Sequence, residues 1–288
     1  MILEMGARRR GDIRDLCDLV SPTVGIITGI APQHLETFGT LEDIREEKGE
    51  LARAVPREGL VVYNLSDEGA RTLYEERVGR KLGVGFERAD CLIEGLEMTA
   101  EGASFCLRKG EKCFPISLPL LGKGAVADFA LAAALALELG VSEEIIREKA
   151  RSMTAAPHRF EVVRKDKILV IDDSYNINPV GASTALFSLS YFEAKRKIVY
   201  ASGIVELGEE TERYNLRLGE EIAEYATMAI LGAGKYADFT EQGIKGKRPD
   251  FPVIRVADTE EATKCFGHTL REGDLLLIMS DLPRDYLL

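Results

Sequence analysis

Three groups of residues have types and spacing suited to chemistry. They are a histidine in the turn PQHLETFG (His34), a lysine in LEDIREEKGELARAV (Lys48), and the acid- and amide-rich run VIDDSYNINP at 170–179. An imidazole can bind a metal or move a proton, and clustered carboxylates and carboxamides can hold cations or polar ligands. Each group also has an ordinary reading. A lone His34 is more often a turn residue than a ligand, and Lys48, flanked by Glu46 and Glu50, reads as a solvated helix lysine. DDSYNINP reads as a polar turn whose Asp and Asn side chains bond to nearby backbone before a helix. The two readings of that turn are compatible, because rigid turns at strand ends are where sites are built. A phosphate-cradling GxxxxGK[ST] loop is absent: Gly122-Lys123, Gly234-Lys235 and Gly246-Lys247 lack both the upstream glycine and the following Ser or Thr.

The elements that must position these groups alternate between apolar runs and helix-period segments, which predicts an α/β fold with largely parallel strands. Strands are expected over 1–5, 24–28 and 60–64, and an amphipathic helix over 41–55 places Lys48 on its polar face. The stretch 84–118 has short strands separated by Gly and charged turns and predicts an antiparallel part. A buried helix follows at 126–139, then a helix over 142–153 with a simple Ser142 cap. The break at Ala155, Ala156 and Pro157 sets the expected domain boundary, giving 1–156 and 157–288. Beyond it, strands at 168–172, 197–201, 228–231, 253–256 and 275–279 alternate with helices beginning near 180, 212 and 259. That pattern predicts a smaller, Rossmann-like unit.

Bulk properties narrow the function. With 288 residues and 45% hydrophobic content the chain can fill two ordinary cores. Its formal charge of -11 argues against nucleic acid or anionic lipid as a partner. The apolar stretch at 126–141 carries Asp128 and Glu138 and is shorter than the ~20 residues a bilayer span needs, so no membrane partner is expected. Five cysteines without a CxxC pair read as packing residues of a cytoplasmic protein.

Three separated signals carry a resemblance to a known family. LEMGARRRGDI at 3–13 precedes VGIITGIAPQHLETFGTLEDIREEKGEL at 24–51; HRFEVV precedes VIDDSYNINP; and ASGIVELGEETERYN spans 201–215. Together they resemble the Mur ligases, ATP-dependent amide-forming enzymes of peptidoglycan biosynthesis. The resemblance implies a truncated central domain followed by the family's C-terminal domain. It implies ATP and Mg2+ as cofactors, with Glu4, His34 and Lys48 at the metal and Lys48 carrying a carbamate. A carbamate turns an ammonium into an anion able to hold a cation. Arg159 would contact the phosphates and Asp173 the ribose, with Tyr175, Asn176 and Asn178 beside the ribose and the incoming amine. Lys48, His34 and Asn176 would be the catalytic set. The partners implied are a nucleotide-sugar peptide or other carboxylate substrate and an amino acid or dipeptide.

The sequence departs from that family at several points. Besides the missing phosphate loop, Gly124 and Ala125 stand where the family has His-Asn at an adenine contact, and Gly29 stands where it has Asn. Met279, Ser280, Asp281 and Leu282 replace its KGSR segment. The expectation is therefore a ligase whose phosphate loop lies on a companion subunit, with a homodimer as the other assembly. The alternatives are a noncatalytic or regulatory homologue, and a similar ligase of a cofactor pathway.

Overall fold

The computed structural model describes residues 1–165 and 167–280 and divides into two compact units, 1–154 and 155–288. The first holds helices α1 (Asp12–Val20), α2 (Leu35–Phe38), α3 (Leu41–Ala54), α4 (Glu68–Glu76), α5 (Lys123–Glu138) and α6 (Glu143–Arg151). Its sheet has the order β1 (Val24–Ile27), β2 (Leu60–Asn64), β3 (Lys81–Gly85), β4 (Cys91–Thr99), β5 (Gly102–Lys109) and β6 (Lys112–Leu118). The first four strands pair in parallel, and the last three form an antiparallel meander.

Burial follows from these pairings. β2, covered on both faces, is apolar from Leu60 to Tyr63 and buried throughout that run, whereas β6 alternates buried and exposed residues because one face meets water. Helix α5 lies in the core with Val126, Phe129, Ala130, Leu131 and Ala134 buried, and Phe129 meets Phe105 of β5 edge-on at 6.4 Å. Helix α3 starts with a reciprocal cap: Asp43 N–H donates to Thr40 Oγ1 at 3.1 Å and Thr40 N–H donates to Asp43 Oδ2 at 3.2 Å.

Two expectations for this unit are corrected. Residues 1–5 form no strand; Met1, Ile2 and Leu3 are exposed, because the only strand paired with β1 among the described residues is β2. The segment after them is anchored through Glu47, a buried carboxylate on α3 that accepts the Gly11 and Ile13 N–H groups, both at 2.7 Å. It thereby caps α1, whose own N-cap, Gly11, has no side chain to do so. Cys106 and Cys113 do not pack separately: their side chains meet across the β5–β6 hairpin, with Cα atoms 5.8 Å apart. The β5–β6 hairpin folds two residues seven apart onto each other, which spacing alone does not reveal. Cys17, Cys91 and Cys265 are free.

The second unit contains β7 (Glu161–Lys165), β8 (Ile168–Asp173), α7 (Pro179–Ser188), β9 (Lys197–Ala201), α8 (Thr211–Tyr225), β10 (Met228–Leu231), α9 (Lys235–Lys247), β11 (Val253–Arg255), α10 (Thr259–Thr269) and β12 (Leu275–Met279). Its sheet runs β11-β10-β9-β12-β8-β7, parallel except where β7 meets β8. The apolar strands β9 and β12 form its centre, with Ile198, Val199, Leu275 and Leu277 fully buried. Helix α9, absent from the sequence-based expectation, packs so closely on α8 that glycine is required on both. A Cβ on Gly219 would lie 2.0 Å from the Thr240 carbonyl oxygen, and one on Gly243 2.0 Å from that of Leu216. Among the described residues no helix is long and apolar enough to cross a membrane.

Candidate functional site

Ligands of open α/β sheets bind beyond the C-terminal ends of the strands. In the first unit, the loops after β1 and β2 meet at that edge. Asn64, the last residue of β2, donates from Nδ2 to the Thr28 carbonyl at 2.9 Å, and its Oδ1 accepts the Ser66 N–H at 3.0 Å. Asp67 caps α4 by accepting the Ala70 N–H at 2.8 Å, and a Cβ placed on Gly29 would stand 3.6 Å from its other carboxylate oxygen.

Lys48 reaches this edge from α3. Its Nζ donates to the Gly29 carbonyl at 2.9 Å, so it is not the solvated helix lysine that the flanking acids suggest. Burial holds its pKa below the ordinary lysine value, and the negative charge of Asp67 partly offsets that shift. His34 sits half-buried in a left-handed conformation, φ 56°, at the start of α2. The short helix is pinned to the N-terminal segment by Thr37 Oγ1, which donates to the Arg8 carbonyl at 2.5 Å. Glu4 is exposed, outside any regular element, and makes no hydrogen bond or ion pair among the described residues.

Magnesium prefers a shell of oxygens. One exposed carboxylate, one imidazole and an ammonium engaged with Gly29 do not fit it as they stand; conversion of Lys48 to a carbamate would supply the missing anionic oxygens. Asn64 and Asp67 went unnoticed in the sequence. Their signal is NLSD after an apolar strand, an Asx turn running into an N-cap.

In the second unit the segments HRFEVV and DDSYNINP come together where β7 and β8 pair. The Arg159 guanidinium lies 4.0 Å over the Tyr175 ring and donates from Nη1 to Asn176 Oδ1 at 2.8 Å. Asp173 Oδ1 accepts the Phe160 N–H at 3.1 Å. Burial raises the Asp173 pKa to about 6, against the lowering effects of that hydrogen bond and of Arg159. Asn178 caps α7 by accepting the Gly181 N–H at 2.9 Å, with Pro179 next to it in the first turn. Arg159, Asp173, Tyr175 and Asn176 are thus one cluster, and Asn178 fixes the helix that leaves it.

The sequence reading assigned no role to His158, Glu161 or Asp172, whose potential ligand atoms lie within 4.8 Å of one another. The His158 Nδ1 and Asp172 Oδ2 atoms are 2.8 Å apart, and His158 N–H donates to Glu161 Oε2 at 3.2 Å. The other Asp172 oxygen accepts from Ser174 N–H at 3.2 Å and Ser174 Oγ at 2.6 Å. A buried amide, Asn215, holds the ASGIVELG loop by exchanging bonds with both backbone groups of Ile204, at 2.8 and 2.9 Å. Of the residues replacing the KGSR segment, Met279 ends β12 opposite Asp173, while Asp281 and Leu282 lie outside the described residues.

Comparison with known proteins agrees with this architecture. Residues 1–136 match the Mur ligase middle domain and residues 158–282 the Mur ligase glutamate ligase domain. The UDP-N-acetylmuramoyl-tripeptide--D-alanyl-D-alanine ligase of Mycobacterium bovis is 30% identical over 96% of this chain and 59% of its own length. The Escherichia coli enzyme of the same name is 27% identical over 84% of this chain and 55% of its own. The chain therefore spans somewhat over half the length of these relatives. Among solved structures, MurF from Acinetobacter baumannii superposes with a TM-score of 0.84 at 25% identity, covering 96% of this chain and 61% of that one. The MurF ligase from Thermotoga maritima in complex with ADP superposes with a TM-score of 0.86 at 24% identity, covering 97% and 63%. With both domain models matched in order and the fold shared along nearly its whole length, the chain belongs to the Mur ligase family.

Proposed function

We propose that this chain carries the carboxylate-activating and nucleotide-holding parts of an ATP-dependent amide ligase of peptidoglycan synthesis. ATP phosphorylates a substrate carboxylate, releasing ADP. An amine then attacks the acyl phosphate, and the tetrahedral intermediate expels phosphate. The acceptor is a carboxylate-bearing nucleotide-sugar peptide and the amine an amino acid or dipeptide, by analogy with the relatives' names. The observation that carries this reading is the assembled cluster of Arg159, Asp173, Tyr175 and Asn176, in which a cation, a half-buried acid and an aromatic face stand together at a strand's end.

In this scheme Arg159 meets the nucleotide phosphates, Asp173 a ribose hydroxyl, and Tyr175 and Asn178 flank the ribose. Asn176 orients the amine. In the first unit Lys48, once converted to a carbamate, would hold a magnesium ion together with Glu4 and His34. When bound, that ion would neutralise charge on the transferring phosphoryl group. These 288 residues contain no GxxxxGK[ST] phosphate-cradling loop, so in this scheme that element comes from outside them.

Titration of the full chain with ADP, with and without magnesium, tests the reading. Millimolar or tighter binding that weakens in Arg159→Ala and Asp173→Asn is expected. No magnesium-dependent binding at millimolar nucleotide would sink it. A second reading, a noncatalytic subunit of such a ligase, is favoured by Gly124 and Ala125, which offer no side-chain hydrogen bond at the expected adenine contact.

A further inference from the structure

We propose that His158 and Asp172 are positioning residues that hold Arg159 in its binding geometry, through a backbone clamp rather than by contact with any ligand. The inference rests on the assignment of Arg159 to the nucleotide for its consequence, but not for its geometry.

Arg159 lies between two non-glycine residues in left-handed backbone, His158 at φ 61° and Phe160 at φ 52°. Such conformations are unfavourable for residues with a side chain and persist only where the surroundings over-determine them. The restraints are all present. The Phe160 N–H donates to Asp173 Oδ1 at 3.1 Å, the Tyr175 N–H to the His158 carbonyl at 3.1 Å, and the His158 N–H to Glu161 Oε2 at 3.2 Å. The imidazole closes the set through Nδ1, 2.8 Å from Asp172 Oδ2.

Asp172 is itself oriented by the two bonds from Ser174, so the clamp leads back to the strand β8. Its product is visible in the arginine: an exposed, flexible side chain is stacked 4.0 Å over Tyr175 and bonded to Asn176, ready to meet an anion without first losing rotamer freedom. Adjacent acids thereby take different tasks. Asp173 fixes the residue after Arg159, and Asp172 fixes the residue before it. The same His158, Glu161 and Asp172 atoms lie close enough for a metal ion, but each of the three side chains already takes part in a hydrogen bond that the clamp requires.

The test uses the full chain with isotope-labelled arginine and reads two quantities. The first is the ring-current shift that Tyr175 imposes on the Arg159 δ-methylene protons, assigned with Tyr175→Leu and independent of any ligand. The second is the dissociation constant for ADP. His158→Ala and Asp172→Ala are expected to abolish the ring-current shift and weaken ADP about tenfold. His158→Asn, which tolerates left-handed backbone and can donate to Asp172, is expected to restore both. Asp172→Asn, nearly isosteric and able to serve the opposite imidazole tautomer, is the folded control should the alanine variants not fold; it keeps the shift.

An unchanged shift in the alanine variants, or its loss in His158→Asn as well, would overturn the proposal. So would one-to-one uptake of zinc that His158→Ala abolishes, since the cluster would then be a metal site. If the wild-type chain shows the shift but binds no ADP, the nucleotide reading fails and the clamp stands.

Discussion

Lys48 Nζ donates to the carbonyl of Gly29 at 2.9 Å, across the gap between a helix and the loop that ends the edge strand. The bond places an amine of lowered pKa at the sheet edge beside the carboxylate of Asp67. A neutral amine is the form that reacts with carbon dioxide, and burial enlarges that fraction at a given pH. With 13C-labelled bicarbonate, the chain is therefore expected to show a carbamate resonance that Lys48→Ala lacks. Asp67→Asn is expected to strengthen it severalfold, because Asp67 both favours the protonated amine and repels the carbamate anion. A resonance equally strong in Lys48→Ala would remove Lys48 from the site.

Asp173 gives a stability prediction whose sign follows from its raised pKa. Its folded value is about 6 and its ordinary value 3.8, so the folded chain binds the extra proton between them. The contribution favouring the fold is fully present below 3.8 and is lost as pH rises through about 6. The loss is on the order of 2–3 kcal/mol, an upper figure because the group is partly solvated. Asp173→Asn keeps an acceptor for the Phe160 N–H and removes the charge. It is expected to be more stable than the native chain at pH 7, with a flatter profile from pH 4 to 6 by denaturant unfolding, while binding nucleotide less well. Equal pH profiles for the two proteins would refute this.

Helix α8 touches helix α9 through glycine on both sides. Gly219→Ala puts a methyl 2.0 Å from the Thr240 carbonyl oxygen, far inside contact distance and against backbone that cannot rotate away. The helices must part, at a cost of about 3 kcal/mol or more, typical of severe overpacking. Ala at Gly246, where nothing lies within 4 Å, is expected to be neutral or slightly stabilising. Thermal unfolding of the two variants distinguishes a packing requirement from a general intolerance of alanine in α9.

Glu47 joins the N-terminal segment to α3. Removing it in Glu47→Ala leaves the Gly11 and Ile13 amides without a partner, Ile13 being buried, and is expected to cost about 2–4 kcal/mol. Glu47→Gln retains one good acceptor and should lose roughly half as much. Hydrogen exchange would show faster exchange at α1 in both variants; protection unchanged in Glu47→Ala would mean that α1 is held by its apolar face alone.

Much of the fold was legible in the chain because the signals are local. A run such as LVVY between turn residues reads as a strand covered on both faces, and the two-residue alternation of KCFPISL reads as a strand with one wet face. The polar turn DDSYNINP was likewise visible after its strand, where chemistry is usually placed, whereas HLETFG, read as a turn, forms the short helix α2.

What the tertiary structure decided depends on partners distant in sequence. Lys48 looks solvated between Glu46 and Glu50, and only the fold brings its half-buried amine against the Gly29 carbonyl. Residues 1–5 have the composition of a strand but remain unpaired among the described residues, because composition cannot supply a neighbouring backbone. Cys106 meets Cys113, Glu47 caps a helix more than thirty residues away, and Asp172 reaches back to His158. Side-chain types and periodicities determine which elements form; contacts between remote residues are selected only when whole elements compete for the same buried space and hydrogen-bond partners.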